Sequence, residues 1–166
     1  MRLGVLSDSH DDVANLETAL ADYRRRGIRE LIHCGDMISP EIVRQLKGFQ
    51  VIYVDGNMDR ESAEIYRTLR ELGPHNIALP TFEGEIAGVS IAVTHGDDPG
   101  ELARVIRSGI HRFVFSGHTH RRRDETIGST RVFNPGALGG LQFESRSYSV
   151  VDLTSGELET IEFSAA

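Results

Sequence analysis

The chain has 166 residues, of which 39% are hydrophobic and 26% are charged, a balance that excludes bulk disorder and collagen-like repeats. Its net charge of −7 disfavours a protein that binds duplex nucleic acid, although a bound metal can still attract a small phosphorylated ligand. A single cysteine, Cys34, excludes an internal disulfide, and no apolar run approaches the roughly 20 residues of a membrane span. We therefore expect one soluble domain over residues 1–166, located in the cytoplasm and without a membrane partner.

The first half of the chain alternates between strand-like and helix-like patterns. Short apolar runs predict strands at Leu3–Leu6, Glu30–His33 and Gln50–Val54. Helical spacing and helix-start residues predict three helices, from Val13 to near Gly27, from Ser39-Pro40-Glu41 onward, and from about Arg60 to Leu72. Strands and helices that alternate in this way are typical of a parallel sheet.

The second half is richer in strands. We predict strands at Thr81–Ile86, Val89–Thr94, Arg112–Ser116, Thr126–Phe133, Ser147–Leu153 and Leu158–Phe163. A further helix is predicted from Asp98-Pro99 to about Ser108. Together the two halves predict an α/β layered fold with a mostly parallel sheet and a second, mixed sheet.

Side chains that can bind metals follow one predicted strand after another. They are Asp8, His10, Asp36, Asn57, His95, His118 and His120. Because ligands bind at the carboxyl ends of strands in an open parallel sheet, we expect these side chains to meet at one edge. Oxygen and imidazole ligands without a thiolate suit Mn, Fe, Co, Ni, Zn or Mg ions. Seven ligands exceed the need of one ion, and with one bridging carboxylate they suffice for two.

Taken one at a time, most of these motifs have a plainer interpretation. Asp8-Ser9-His10 is compatible with a helix entry, and Gly35-Asp36 and Gly56-Asn57 are ordinary turn dipeptides. Gly117-His118-Thr119-His120 differs, because alternate residues of an extended loop point the same way and would aim two imidazoles at one point. The complete ordered set therefore favours a shared site.

The ordered set of motifs resembles one known family. Asp8-x-His10, Gly35-Asp36, Gly56-Asn57-x-Asp59, His95-Gly96 and Gly117-His118-x-His120 are similar to the motifs of the calcineurin-like metallophosphoesterases. The short chain resembles their small, single-domain prokaryotic phosphodiesterase branch. The resemblance implies a layered sandwich of two mixed β-sheets flanked by helices.

The resemblance also implies a binuclear metal centre that hydrolyses a small phosphodiester, with nucleotide-like esters among the candidates. One ion would be held by Asp8, His10, Asp36 and His120, and the other by Asp36, Asn57, His95 and His118. A water between the ions would act as the nucleophile. Asn57, Asp59 and His95 would take part in catalysis. Imidazole-rich ligand sets favour Mn²⁺, with Ni, Co, Fe, Zn and Mg left open, as is a homo-oligomer.

Several features leave alternatives open. Many relatives have a histidine where this chain has Met58, so its role toward the leaving group is either missing here or supplied by another group. Asp59 is also compatible with a helix N-cap. Of Arg121-Arg122-Arg123, we expect at least two to be solvated and leave open a contact with an anionic substrate. A phosphomonoesterase and a non-catalytic protein-binding scaffold of the same fold are the competing functions.

Overall fold

A computed structural model describes residues 1–163 as two β-sheets with helices on their outer faces. The strands are β1 (Arg2–Leu6), β2 (Glu30–His33), β3 (Gln50–Val54), β4 (Ile77–Leu79), β5 (Thr81–Ile86), β6 (Val89–Thr94), β7 (Phe113–Phe115), β8 (Arg123–Ile127), β9 (Thr130–Asn134), β10 (Ser147–Asp152) and β11 (Leu158–Glu162). The helices are α1 (Val13–Arg25), α2 (Pro40–Val43), α3 (Ser62–Leu72) and α4 (Pro99–Arg107), and a 3₁₀ turn at Arg44–Leu46 follows α2. None of the helices in this part of the chain has the length and apolar content that crossing a membrane requires.

Both sheets combine parallel and antiparallel pairs, as predicted for the fold class. The first sheet has the order β11-β10-β1-β2-β3-β4, and β1 to β4 run parallel. The second has the order β5-β6-β7-β9-β8, in which β6, β7 and β9 are parallel and hairpins form both edges. The carboxyl ends of the parallel strands carry the loops that bear the candidate ligands.

The sheets pack face to face through a core made by both. Val5 and Ile52 of the first sheet belong to the same buried cluster as Ile91, Phe115 and Phe133 of the second. Alternation along each strand aims every second side chain into this layer. The opposite face of each sheet is therefore free to pack against helices.

Helices complete the outer two layers. Leu16 and Tyr23 of α1 pack on the outer face of the first sheet, where the Tyr23 hydroxyl donates to the carbonyls of Val5 (3.1 Å) and Ser149 (3.0 Å). On the second sheet, Val105 of α4 packs against Ala92 and Val114. The result is a helix–sheet–sheet–helix sandwich with the site at one end.

One predicted strand needs correction, and one strand was not predicted. The single strand predicted at Thr126–Phe133 is wrong, because β8 and β9 form a hairpin that turns at Gly128-Ser129. Gly128 has a φ of 62°, which glycine adopts freely and which ends the extended run. The three-residue strand β4 at Ile77–Leu79 was not predicted, since it is too short to show a period.

Candidate metal centre

Loops after five parallel strands bring the predicted ligands to one edge of the sandwich. Asp8 and His10 follow β1, Asp36 follows β2, Asn57 follows β3, His95 follows β6, and His118 and His120 follow β7. The first sheet thus supplies both carboxylates, and the second supplies most of the imidazoles. Two groups of three side chains each have ligand atoms that lie within 4.8 Å of one another. The first group is Asp8, His10 and His120, and the second is Asp8, Asp36 and His95.

The carboxylate of Asp8 is fully buried and only half satisfied. Its Oδ2 accepts from the backbone N–H of His118 at 3.1 Å, and Ser7 also donates to this oxygen. Its Oδ1 accepts no hydrogen bond from the described residues, although His120 Nε2 lies 3.2 Å away and His10 Nε2 lies 3.9 Å away. Because a buried carboxylate oxygen is costly without a partner, this oxygen fits a bound cation.

Asp36 lies between two imidazoles. Its Oδ2 is 3.6 Å from His10 Nε2 and 3.4 Å from His95 Nε2, while its Oδ1 accepts from the backbone N–H of Met58 at 2.9 Å. Burial acts to raise the pKa of Asp36, but the adjacent His95 outweighs it and holds that pKa below its usual value. Asp36 is therefore an ionised carboxylate that faces both halves of the site.

Backbone carbonyls fix two of the imidazole rings. Nδ1 of His95 donates to the Cys34 carbonyl (2.7 Å), and Nδ1 of His120 donates to the Leu141 carbonyl (2.6 Å). Each ring therefore turns its Nε2 toward the carboxylates, the arrangement that metal-binding histidines use. His95 Nε2 is also 3.2 Å from Asn57 Oδ1.

The carboxylates also change the proton affinity of these rings. Burial acts to lower the pKa of His95, but Asp36 and Asp8 raise it to about 9. The Asp8 carboxylate likewise raises the pKa of His120. In contrast, burial dominates at His10 and lowers its pKa. A cation that enters this site would therefore have to displace a proton from His95.

His118 and Asn57 lie at the rim of this cluster. The His118 side chain is exposed, and its ring centroid is 5.1 Å from that of His95. Asn57 is also exposed and reaches the cluster through its contact with His95. The structure thus brings all seven predicted ligands to one place, five of them buried or half-buried.

The ligand-bearing loops are strained. Left-handed backbone occurs at five predicted ligands: Asp8 (φ 53°), His10 (45°), Asp36 (57°), His118 (66°) and His120 (53°). Each such residue costs about 1–3 kcal/mol and persists only where the surrounding structure holds it. Strain of this kind clusters at functional sites.

Glycines allow the loops to approach the ligands. A Cβ at Gly56 would overlap Asp36 Oδ1, and a Cβ at Gly117 would overlap Ser7 Oγ and lie 2.7 Å from Asp8 Oδ2. The Gly-Asn and Gly-His motifs thus have a steric cause beyond turn propensity.

The buried side chain of Asp59 binds the backbone of the loops that carry Asp36 and Asn57. Its carboxylate accepts from the backbone N–H groups of Asp36 (2.8 Å), Ile38 (2.7 Å) and Gly56 (2.7 Å), and from the Tyr53 hydroxyl. The N-cap interpretation is wrong, because α3 has a different cap residue. The side chain is buried and turned toward the protein, so it is placed to position the ligands.

Further supporting residues had no sequence signature. His33 is buried with its pKa lowered to about 4 by burial; its Nδ1 accepts from Gly35 N–H (3.2 Å) and its Nε2 donates to Ser9 Oγ (2.7 Å). Asn134 donates to the Gly117 carbonyl at 2.7 Å and so ties the end of β9 to the histidine loop. The contacts of His33 with Ser9 and of Asn134 with Gly117 join residues far apart in the chain, where no local pattern could reveal them.

Comparison with known proteins identifies the family. The sequence profile of the calcineurin-like phosphoesterase superfamily domain matches residues 1–156. A phosphodiesterase of Methanocaldococcus jannaschii is 28% identical over 163 residues, which cover 97% of this chain and 98% of that protein. A solved structure described as a novel archaeal phosphodiesterase covers 98% of this chain and 100% of its own, with a TM-score of 0.93 and 28% identity.

A more distant structure shares the fold. The phosphoesterase YfcE of E. coli covers 98% of this chain and 99% of its own, with a TM-score of 0.71 and 22% identity. With the profile match across nearly the whole chain, the motifs and the sandwich have one explanation: the chain belongs to the calcineurin-like phosphoesterase superfamily.

Proposed function

We propose that the protein is a divalent-metal-dependent phosphodiesterase with two ions in the site described above. The observation that carries the proposal is the place of Asp36, whose Oδ2 lies within 3.6 Å of imidazoles from both halves of the site. Asp8 Oδ1 gives further support, because it is a buried anionic oxygen that accepts no hydrogen bond from residues 1–163 and faces His120 Nε2 at 3.2 Å. The phosphodiesterase relatives favour the same reaction.

The geometry supports the ligand sets that the family resemblance implies. We assign one ion to Asp8, His10, Asp36 and His120, and the other to Asp36, Asn57, His95 and His118, with Asp36 as the bridge. Asp8 is a member of both groups of neighbouring ligand atoms. We assign it to the first ion because its Oδ1 faces His10 and His120.

Each residue type has a chemical reason. Asn57 offers a neutral oxygen, which adds a ligand without a charge that would repel phosphate. When bound, two divalent ions would supply Lewis acidity and a water of lowered pKa. Asn57 and His95 lie next to each other and would contact the phosphate, while Asp59 holds the loops that carry Asp36 and Asn57.

The composition of the chain bears on which metal, substrate and cellular compartment we propose. Four imidazoles among seven ligands favour Mn²⁺ or a similar transition ion over Mg²⁺, which prefers oxygen ligands. The net charge of −7 favours a small phosphodiester over duplex nucleic acid, and a single free cysteine suits the reducing cytoplasm.

Metal exchange tests the proposal. The protein is stripped with a chelator and reloaded separately with Mn²⁺, Ni²⁺, Co²⁺, Zn²⁺ or Mg²⁺, and hydrolysis of a bis-aryl phosphodiester is measured beside metal content. We expect no hydrolysis without metal and the fastest hydrolysis with Mn²⁺ or a similar ion. His95→Ala should lose activity, whereas His75→Ala, in an exposed loop, should not. A chelated sample that keeps its full rate, or a preference for monoesters, would contradict the proposal.

A further inference from the structure

The loop 139–146 is fixed to the candidate metal centre by its backbone. The N–H of Gly139 donates to the Asp8 carbonyl at 2.7 Å, and the Leu141 carbonyl accepts from His120. Gly140 passes so close to the site that a Cβ there would lie 2.5 Å from His10 Cδ2 and 2.8 Å from His120 Cε1. The first half of this loop is therefore a rigid wall of the site.

From this wall, two apolar side chains face solvent. Leu141 is 74% exposed and Phe143 is 55% exposed, both among the most exposed large hydrophobic side chains of residues 1–163. The Phe143 ring centroid is 6.2 Å from that of His120, in an edge-on contact. An exposed aromatic ring beside a polar site offers a π-face to a ligand.

A cation lies on the same ring. The Arg121 guanidinium carbon is 5.0 Å from the Phe143 centroid. Its neighbours Arg122 and Arg123 pair with carboxylates, but among the described residues Arg121 forms no ion pair. Arg121 and Phe143 together make an aromatic, positively charged rim, which we call the Phe143 rim.

The side of the site next to Asn57 is acidic. A pocket there is lined by Asp55, Asp97, Asp98 and Glu101, of which Glu101 pairs with Arg104 at 2.8 Å. A neutral aromatic ring is not directed by charge, so the Phe143 rim differs from this acidic side by the stacking surface that it offers.

We propose that the Phe143 rim is a subsite for a planar aromatic substituent of the phosphodiester, a nucleobase or a simple aryl group. The inference rests on the proposed function, since the phosphate has to be held beside His120. The substituent would stack on the face of Phe143 that Arg121 leaves free, a contact that tolerates any planar π-system. Loss of one stacking platform should weaken binding about tenfold.

Equilibrium binding tests the subsite. Calorimetry on the metal-loaded protein gives the Kd for methyl phosphate, phenyl phosphate and adenosine monophosphate. We expect wild type to bind the aromatic esters about tenfold more tightly than methyl phosphate. In Phe143→Ala the aromatic esters should bind no more tightly than methyl phosphate, whereas Phe143→Tyr should keep the tenfold difference in Kd. Ile110→Ala, at another exposed hydrophobic residue, is the control and should leave all three Kd values unchanged.

The outcomes separate the subsite from the reaction. A ratio that is unchanged in Phe143→Ala, with circular dichroism showing a folded protein, would overturn the subsite. Tight binding of adenosine monophosphate supports a nucleobase occupant, and tight binding of phenyl phosphate alone supports a simple aryl ester. Failure of the wild type to hydrolyse any diester would instead overturn the proposed function, whatever the ratio.

Discussion

The ligand cluster and the Phe143 rim share a contact with His120 but hold their side chains in opposite ways. Asp8 and Asp36 are 0% and 2% exposed, and backbone groups bind their oxygens from several loops. Phe143 is 55% exposed, with its ring against the His120 ring and the Arg121 guanidinium. In the cluster, both folding and chemistry constrain the residue type. At the rim, only the ligand does, so substitutions there should change preference and leave the fold intact.

Asp36→Ala should give the largest effect. The variant removes the carboxylate that faces both His10 and His95, and we expect activity to fall to background and bound metal to decrease. Inductively coupled plasma mass spectrometry and a diesterase assay measure both. Asp124→Ala removes an exposed carboxylate of β8 as a control. Wild-type metal content and rate in Asp36→Ala would refute the assignment.

Asp59→Asn tests whether the ligand cluster depends on the hydrogen bonds that Asp59 accepts from its loops. An amide cannot accept from three N–H groups and a hydroxyl in the same geometry, so its NH₂ would face a donor. We expect a loss of about 1–3 kcal/mol of stability and about 10–100-fold in activity or metal affinity. Tyr53→Phe removes one donor alone and should have a smaller effect. An unchanged melting temperature and an unchanged rate in Asp59→Asn would show that the ligand loops keep their conformation without the Asp59 carboxylate.

Proton release on metal binding should follow from the raised pKa of His95. That pKa is about 9, above the ordinary value of 6.5, so the metal-free protein carries the proton at neutral pH. Metal affinity should therefore rise by up to about tenfold for each pH unit between 7 and 9 and then level off. The same proton stabilises the metal-free fold below pH 6.5, and this contribution is lost as pH rises through 9. Anaerobic titration with Mn²⁺ in buffers of different ionisation enthalpy measures the release. An affinity that is flat from pH 7 to 9 would contradict it.

The sequence was a good guide to the ligands and a poor one to what surrounds them. Most strands of the two sheets were predictable because they show a short apolar run, and Asp98 and Pro99 begin α4 as predicted, whereas β4 and the polar strand β8 were missed. The ligands were recognisable because each follows a strand end. Asp59, His33 and the loop 139–146 act through contacts with residues distant in the chain. Their roles depend on packing that no local spacing encodes.

Met58 contacts the ligand cluster through its backbone, and its substitution should give the smallest and most selective effect. Its backbone N–H donates to Asp36 Oδ1, while its side chain is 41% exposed. A histidine there would keep the backbone contact and add a proton donor that methionine lacks. Without that donor, wild type should favour aryl diesters, whose leaving groups depart as stable anions, over alkyl diesters by about 10²-fold or more.

Met58→His should narrow that gap a few-fold by accelerating only the alkyl diester, because aryl leaving groups need no proton. The two diesters should share their shape and their non-leaving group, and the rates should be followed across pH, since a donor imidazole adds a limb to the profile of the alkyl substrate alone. Met58→Gln is the matched control, because it is similar in length and cannot donate a proton of suitable acidity. An acceleration that Met58→Gln reproduces would reflect altered packing. Equal wild-type rates on both diesters would show that another group already protonates the leaving oxygen, and the exposed side chain of Met58 would then have no part in substrate preference.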